Sequence, residues 1–353
     1  MTENLYQRKS RLDSMEGSGS EDEGFSLIPL PNLTSVSSKK FEPLSKMAPA
    51  KLYSILTWWR LDFNELRTNG YPIFATLPGG HVTTRTPWNE QCYIDNGDPM
   101  RVCARCSMQF ILNWTEPRVS NCCVYHHRPQ LNYETGQRLH PCCNEIPGLS
   151  QGCMTSDTHV TTASVNATLS QFTITDEQVE ENDPRSKKVY GLDAEFVYTY
   201  NGMEVARVSL VDIKGRVVLD TYVLPEYQIL DFNTTFSGVE PHHLEDAIPL
   251  NVCQQRLSEF INKNTILVGH SLEFDLRGLR MCHFNVIDTA VLFSDRNSHN
   301  LASPRKPALR TLTANLLERQ IQGNKNGHCS TEDAKACLDL LIKRYEMQSK
   351  MNE

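Results

Sequence analysis

The sequence has 353 residues, of which 39% are hydrophobic, and it carries a formal net charge of −7 at pH 7. This length allows two domains with tails. The sequence has no run of eighteen apolar residues, and its N-terminal MTENLYQRKSRLDS has no apolar stretch. We therefore expect an intracellular protein and not a membrane-spanning or secreted one. The negative charge disfavours nucleic-acid binding through a general basic excess, but it suits an enzyme that holds phosphate through metal ions on a cluster of acids.

Four regions follow one another along the chain. Residues 1–45 contain GSGSEDEG and SVSSKK without a sustained apolar period, and they are predicted to be a disordered tail. Residues 46–160 begin with a helix-like segment, APAKLYSILTWWRL, and continue into a cysteine-rich stretch with little periodicity, which predicts a small, loop-rich module. Residues 161–187 are polar and predict a linker, and the character of the sequence changes for residues 188–347.

The C-terminal region reads as an α/β domain. Three strand-like runs, KVYGLDAEFVYTY, VARVSLVDI and RVVLDTYVL, are joined by short turns and are therefore predicted to be antiparallel neighbours. Helix and strand signals then alternate through VCQQRLSEFINK, TILVGHS, a helix from about Leu272, NVIDTAVLF, ALRTLTANLLER and TEDAKACLDLLIKRYEM. This order predicts a mixed sheet flanked by helices.

Two acids in the first strand, Asp193 and Glu195 of GLDAEFVYT, stand two positions apart. Alternate residues of a strand point to one face, so both carboxylates are expected to project into the same space. Like charges at that distance repel each other, and a bound cation is the usual means of holding them together. A surface pair on an edge strand is the alternative.

Three further residues complete a possible set. Asp275 follows the strand TILVGHS, and His328 precedes Asp333 by five positions at the start of the last helix. The same spacing of His and Asp recurs in His270 with Asp275 and in His283 with Asp288, so it has little weight alone. Asp275 as an exposed helical acid and Asp333 as a helix cap are the alternatives. The order of the acids along the strands and helices is what favours a site.

These motifs carry a resemblance to a known family. The sequence resembles DEDDh 3′–5′ exonucleases of the RNase H-like fold and, among them, the RNA exonuclease 1 (REX-type) family, through GLDAEFVYT, GHSLEFDL and GHCSTEDA and through the flanking stretches TTFSGV and IDTA. The resemblance covers about residues 188–347. Ala194 and Phe196 stand where the family more often has Cys and Met, and neither is a candidate ligand.

The resemblance implies a mechanism. Asp193, Glu195, Asp275 and Asp333 would hold two Mg²⁺ or Mn²⁺ ions about 4 Å apart, and His328 would be the general base for the attacking water. The substrate would be the 3′ end of single-stranded RNA, and the protein would be a nuclear monomer without a membrane partner. His270 and Asp288 are expected to be structural.

The cysteine-rich region predicts zinc binding. In a reducing compartment a cluster of Cys and His is more often a metal site than a set of disulfides, and C-x2-C and C-x2-H are spacings compatible with zinc. The order of these residues also resembles the region that precedes the nuclease in RNA exonuclease 1 relatives, and CHORD zinc modules. Eight ligands suffice for two structural Zn²⁺ ions, and their pairing is left open: Cys103, Cys106, Cys123, His126, Cys142, Cys143, Cys153 and His159. Free buried thiols, or one zinc with unrelated cysteines, are the alternatives, and the spare residues are Cys92, Cys122, His127 and His140.

Contacts with RNA are less well specified by the sequence. Phe196 and Phe274 lie near the acids and either stack on terminal bases or belong to the core. The basic residues that could touch phosphate are Lys187, Lys188, Arg305, Lys306 and Arg310. Two function classes therefore stay open, namely a 3′–5′ exoribonuclease and a zinc-bearing RNA- or protein-binding adaptor whose nuclease fold is not catalytic.

Overall fold

A computed structural model describes most of the chain from residue 44 onward. The described residues are 44–74, 82–83, 93–94, 97–112, 122–131, 136–177, 179–294, 306–323 and 327–351. The interpretations that concern residues 1–43, Cys92 and Arg305 lie outside these ranges. None of the helices in the described ranges is long and apolar enough to cross a membrane.

The described chain begins with short helices. A 3₁₀ helix, Leu44–Lys46, precedes α1 (Pro49–Leu56), a 3₁₀ turn, Thr57–Trp59, and α2 (Phe63–Thr68). Proline suits the first position of α1 because its missing N–H would have no partner there. A capping box starts α2, where the Asp62 carboxylate accepts the Glu65 N–H at 2.8 Å and the Glu65 carboxylate accepts the Asp62 N–H at 3.0 Å.

The cysteine-rich region contains short strands joined by loops, as predicted. The strands are two or three residues long: β1 (Ile73–Phe74), β2 (Val82–Thr83), β3 (Tyr93–Ile94), β4 (Met100–Val102), β5 (Gln109–Ile111), β6 (Cys123–Tyr125), β7 (Gln130–Leu131), β8 (Arg138–Leu139), β9 (Met154–Ser156), β10 (Ser164–Val165) and β11 (Thr173–Ile174). A 3₁₀ helix, Asn166–Gln171, separates the last two. Strands β4 and β5, β6 and β9, and β7 and β8 form antiparallel pairs.

The C-terminal region is built on one mixed sheet. The strands of this region are β12 (Val189–Thr199), β13 (Gly202–Asp212), β14 (Val217–Leu224), β15 (Ile229–Asp231), β16 (Ile248–Pro249), β17 (Ile266–Gly269), β18 (Met281–Cys282) and β19 (Val286–Asp288), and all except β18 belong to the sheet. The sheet order is β16-β14-β13-β12-β17-β19, with β15 also paired to β12, and β18 pairs separately with β11. Strands β12 to β14 are antiparallel neighbours, whereas β17 and β19 run parallel to β12. The predicted mixed α/β sheet is confirmed.

Six α-helices and a 3₁₀ helix, Pro241–Leu244, accompany this sheet in the described ranges. The α-helices are α3 (Thr234–Ser237), α4 (Leu250–Ser258), α5 (Glu273–Gly278), α6 (Thr289–Leu292), α7 (Leu309–Leu317) and α8 (Ser330–Met351). The strand predicted over NVIDTAVLF was too long, because β19 ends at Asp288 and α6 begins at Thr289. The Asp288 carboxylate causes this switch by accepting the Ala290 N–H at 2.8 Å as a helix cap.

Two apolar layers enclose the sheet. One face packs Leu192, Leu210 and Leu267 against α4 and α5. The other face packs against α7 and α8, and also against residues that the sequence grouped with the cysteine-rich module: Met47, Leu52, Leu56 and Trp59. Leu44, which the sequence assigned to the disordered tail, is buried in the same cluster, so the prediction of a tail was wrong at this residue. The Trp59 ring meets the Tyr345 ring of α8 edge-on at 6.5 Å between centroids. Residues 44–59 therefore help to cover the sheet.

Candidate active site

The first strand presents its two acids to one side. In β12, Asp193 pairs with Ser209 and Glu195 with Arg207 of β13, and the register shifts directly after Glu195. Such a bulge increases the local twist and redirects the side chains beside it. Glu195 is buried although its side chain is ionisable. An uncompensated carboxylate in such a place is unfavourable, which points to a role other than stability.

Helix α8 brings Asp333 to the same strand. It can approach because residue 191 is glycine: a Cβ atom there would lie 2.5 Å from the carbonyl oxygen of Ala334. The start of α8 is fixed by a contact of 2.7 Å between the Oγ atoms of Ser330 and Ser209. The buried Asp333 thus faces β12, and its Oδ2 accepts a hydrogen bond of 2.6 Å from Gln322.

Helix α5 contributes Asp275. Its buried carboxylate accepts the backbone N–H of Ala194 at 2.7 Å. Ala194 lies between Asp193 and Glu195 in the strand, so this bond fixes the third acid against the first two. The structure therefore brings the four predicted acids to one region around β12.

His328 lies at the rim of this region. Its backbone N–H donates to the carbonyl oxygen of Phe236 at 2.7 Å, and its side chain is 30% exposed. The preceding Gly327 has φ +91, and a Cβ atom there would come within 2.3 Å of the Gly238 nitrogen, so the two loops are in direct contact. The His328 Nδ1 lies 4.0 Å from the Asp333 carboxylate, which is too long for a hydrogen bond.

The four carboxylates disturb one another's protonation. Burial and the charges of Asp275, Asp333 and Glu195 raise the pKa of Asp193 well above its ordinary value. Burial and Asp333 raise the pKa of Glu195 to about 9, and burial raises that of Asp333 to about 6. Burial also raises the pKa of Asp275. The acids therefore resist simultaneous ionisation unless a cation joins them.

Among the oxygens of these four carboxylates, two are buried and have no hydrogen-bond partner in the described part of the chain. They are Glu195 Oε1 and Asp333 Oδ1. Buried polar atoms normally have partners, and carboxylate oxygens are the ligands that divalent ions such as Mg²⁺ prefer. Among the described residues no three of these carboxylates have oxygens all within 4.8 Å of one another. The chemistry of the donor set, four carboxylates, fits hard divalent cations.

This arrangement predicts that neutralising Glu195 stabilises the metal-free fold. An unfolded glutamate titrates near 4.3. Because the folded-state pKa is about 9, the folded state binds more protons between these values, and its stability falls as pH rises through that window. Glu195→Gln should therefore raise the free energy of unfolding by about 1–3 kcal/mol near pH 8 in EDTA.

Thermal unfolding followed by circular dichroism would test this prediction. The exposed Glu259→Gln is the matched control and should leave the unfolding midpoint unchanged. Mg²⁺ should stabilise the unmodified protein more near pH 8 than near pH 5, because the acids must ionise to bind it. A Glu195→Gln protein that is less stable than the unmodified one in EDTA would contradict the electrostatic account.

The other His and Asp pairs have structural contacts. His283 is fully buried and donates from Nε2 to the carbonyl oxygen of Thr265 at 3.0 Å. Asp288 accepts the Tyr71 hydroxyl at 2.7 Å and the Ser271 N–H at 2.9 Å, besides capping α6. His270 Nδ1 lies 3.0 Å from the Thr289 hydroxyl.

The arrangement of the four acids agrees with the similarity of the sequence to known proteins. A family model described as Exonuclease matches residues 191–341. Residues 191–341 therefore match an exonuclease domain.

Relatives extend the similarity beyond this exonuclease domain. The chain is 40% identical over 305 residues to the Caenorhabditis elegans protein pqe-1, which is named as an RNA exonuclease. The match covers 83% of this chain and 18% of that protein. The human RNA exonuclease 1 homolog is 35% identical over 90% of this chain and 26% of its own length. RNA exonuclease 3 of Kluyveromyces lactis is 35% identical over 84% of this chain and 58% of its own length. The chain thus spans from about a fifth to somewhat over half of these relatives.

Beside the exonuclease domain, the Cys and His residues form two groups. The first contains Cys103, Cys106, Cys123 and His159, and the second contains His126, Cys142, Cys143 and Cys153. Within each group all ligand atoms lie within 4.8 Å of one another. The Sγ atoms of Cys103 and Cys123 are 3.7 Å apart, close to the edge of about 3.8 Å expected for a tetrahedron with Zn–S bonds of 2.3 Å. The eight predicted residues therefore separate into two interleaved sets of four.

In the first set, the thiol of Cys103 has a lowered pKa, which favours metal binding. Although burial raises the pKa of Cys103, the N–H groups of Cys106, Val160 and Arg105 and a contact with His159 hold it at about 6. The thiolate is the form that binds metal. Of the spare residues, His127 donates its backbone N–H to Cys142 Sγ at 3.4 Å and His140 donates from Nδ1 to the His127 carbonyl at 2.7 Å. They support the second set from outside it.

Some contributors to the site were not anticipated. Gln322, which holds Asp333, lies in a loop, and Phe236, which holds His328, lies in the one-turn helix α3; the local pattern around each contains no sign of these contacts. The stretch TTFSGV around Phe236 was noticed only through the family resemblance, which gave no role to this residue.

Proposed function

We propose that the chain is a metal-dependent 3′–5′ exoribonuclease of the DEDDh type that removes nucleotides from the 3′ ends of single-stranded RNA. The observation that carries this proposal is the set of four mutually repelling carboxylates around β12, two of which have buried oxygens without partners. In it, Asp193, Glu195, Asp275 and Asp333 hold two Mg²⁺ or Mn²⁺ ions. The names of the relatives support RNA as the substrate. By the same resemblance we propose a nuclear location and a monomeric state.

His328 acts as the general base in this mechanism. When bound, the two ions supply an activated water and stabilise charge on the attacking and leaving oxygens. His328 accepts the proton of that water from its position at the rim. Burial and the nearby charge of Arg310 lower the pKa of His328 below its usual 6.5, so the ring is neutral and able to accept a proton at physiological pH.

Two exposed aromatic rings flank the acids and are candidates for stacking on RNA bases. Phe274, directly before Asp275, is 51% exposed and has the Arg277 guanidinium 4.6 Å from its ring centre. Phe236 is 39% exposed beside His328. Phe196, in contrast, packs against the apolar core. We assign base stacking to Phe274, because the Phe236 ring is already packed edge-on against the His127 and His328 rings.

A nuclease assay tests the proposed activity. Purified protein with Mg²⁺ and 5′-labelled single-stranded RNA should produce a ladder of shortened products, and EDTA should abolish it because the ions stabilise the transition state. A 3′-phosphate should slow the reaction, since an exonuclease must accommodate a free terminal hydroxyl. Cleavage of circular RNA would refute the exonuclease assignment, and intact RNA at high protein concentration would favour the adaptor.

We also propose that the two Cys/His sets hold two structural Zn²⁺ ions. The interpretation is supported by two complete sets of four ligands, which leave no open position for catalysis. The zinc-binding module in this proposal comprises the described residues between 97 and 165.

The pairing predicts the effect of losing one ligand. The purified protein should contain about two zinc ions per chain, and Cys143→Ser should lose one of them and keep the one on the other set. Elemental analysis measures this ratio, and Cys253→Ser, which changes a buried cysteine outside both sets, is the control. Two independent sites would be contradicted if Cys143→Ser lost both zinc ions, or if the active unmodified protein contained no zinc.

A further inference from the structure

One short segment, residues 231–238, holds the proposed general base. It runs from the end of β15 through α3, and its Phe236 carbonyl accepts the His328 N–H at 2.7 Å. The Phe236 ring meets the His328 ring edge-on at 6.0 Å between centroids. Asp333 is too distant to orient His328 by a hydrogen bond, so in the described part of the chain these two contacts are the ones that place His328.

The first Cys/His set holds this segment through Arg105. Arg105 lies between two ligands of the set, and its backbone N–H donates to Cys103 Sγ at 3.4 Å. Its guanidinium, 10% exposed, donates to Asp231 at 2.8 Å and lies 5.1 Å from the ring centres of both Tyr125 and Tyr198. The Asp231 side chain is 27% exposed, so the pair is partly shielded from water and is stronger than one on an open surface.

Asp231 passes this constraint along the segment. Its second carboxylate oxygen accepts the Asn233 N–H at 2.7 Å. Asn233 has φ +54, a left-handed conformation that turns the chain into α3. The ion pair with Arg105 therefore fixes the turn that sets the direction of α3 and of Phe236.

The second Cys/His set reaches the same segment from the other side. The backbone N–H of His127 donates to Cys142 Sγ at 3.4 Å, and its ring lies edge-on to Phe236 at 4.9 Å between centroids. The ring of Phe236 is thus in contact with His127 of the module and with His328 of the exonuclease domain.

We infer that both Cys/His sets position His328 through residues 231–238, so that the metal module is needed for the chemical step and not only for substrate binding. Arg105, His127 and Phe236 are positioning residues in this scheme. The inference rests on the proposed role of His328 as the base. It makes turnover dependent on an ion pair that lies outside the acid cluster.

The test compares Arg105→Ala with Arg138→Ala in the full chain. Arg138 is an exposed arginine of the same module that donates to the Pro129 carbonyl at 3.3 Å, so it matches Arg105 in charge but makes no contact with Asp231. Arg105→Ala should lower kcat on 5′-labelled RNA roughly 10- to 100-fold with KM little changed, because misplacing a catalytic group by about 1 Å has effects of this size. Arg138→Ala should behave like the unmodified protein.

A second measurement does not depend on activity. Hydrogen exchange of the His328 amide should accelerate in Arg105→Ala, because its acceptor, the Phe236 carbonyl, becomes mobile, while amides of β12 and β13 keep their protection. A double-mutant cycle with Asp231→Ala should give effects on kcat that are not additive. A raised KM at unchanged kcat would mean that Arg105 binds RNA, and would overturn the inference.

Phe236→Leu keeps the test decisive if Arg105→Ala loses zinc. It removes the ring between His127 and His328 without changing the module, and it should lower kcat and accelerate exchange of the His328 amide. Unmodified kcat and exchange in Phe236→Leu would overturn the inference. If the unmodified protein does not shorten RNA at all, the proposed function fails, and the exchange measurements still decide whether the module holds His328.

Discussion

Asp193→Asn should abolish RNA shortening and weaken divalent-ion binding together. The carboxylate is a proposed ligand, and several kcal/mol of transition-state stabilisation depend on the ions, so a loss of about 10³- to 10⁴-fold in kcat is expected. Titration with Mn²⁺ measured by calorimetry and single-turnover RNA cleavage report the two effects. In the metal-free state the variant should be at least as stable as the unmodified protein, because one of four repelling charges is gone.

A distant aspartate provides the control. Asp246→Asn removes an exposed carboxylate from the same domain and should change neither ion affinity nor turnover. An Asp193→Asn protein that binds Mn²⁺ like the unmodified protein yet has lost turnover would show that Asp193 serves chemistry without serving as a ligand, and the proposed metal set would need revision.

His328→Ala and His283→Ala should separate catalysis from stability. His328→Ala removes only the proton acceptor, so kcat should fall by about 10²- to 10⁴-fold while metal and RNA binding persist, with some rate recovered at higher pH. His283→Ala breaks buried contacts with Thr265 and Thr175, and should lower the unfolding midpoint while the folded fraction keeps its turnover.

The comparison is sharp because both histidines precede an aspartate by five residues. Rate measurements at saturating RNA, normalised to the folded fraction from circular dichroism, provide the readout. Normal turnover in His328→Ala together with lost turnover in a folded His283→Ala protein would reverse the assignment of the base.

The architecture of the exonuclease domain was predictable from local signals. Strands β12 to β14 have apolar runs separated by short turns, and such turns allow only antiparallel neighbours. The end of β19 was missed because a single capping carboxylate, that of Asp288, decides between strand and helix there. An apolar run alone does not distinguish these outcomes.

The candidate site was predictable as a set of residues but not as a set of contacts. The pairing of the Cys/His ligands could not be read from spacing, because the second set lies within the sequence span of the first. The contact of Arg105 with Asp231 joins a loop to the end of β15, and that of Gln322 with Asp333 joins a loop to α8; no periodic pattern encodes such contacts. Likewise, the apolar side of α1 predicts burial without indicating which surface it covers.

The packing of residues 44–59 gives the chain the topology of a domain insertion. The chain first covers the face of the sheet that contains Val211 and Ile266, then forms the Cys/His module, and returns at β11, which pairs with β18. A module attached at both ends is restricted in orientation more than one attached at a single end. We therefore expect that removing residues 1–187 would expose an apolar face of the nuclease. Excising residues 97–165 and joining the flanking residues would keep that face covered.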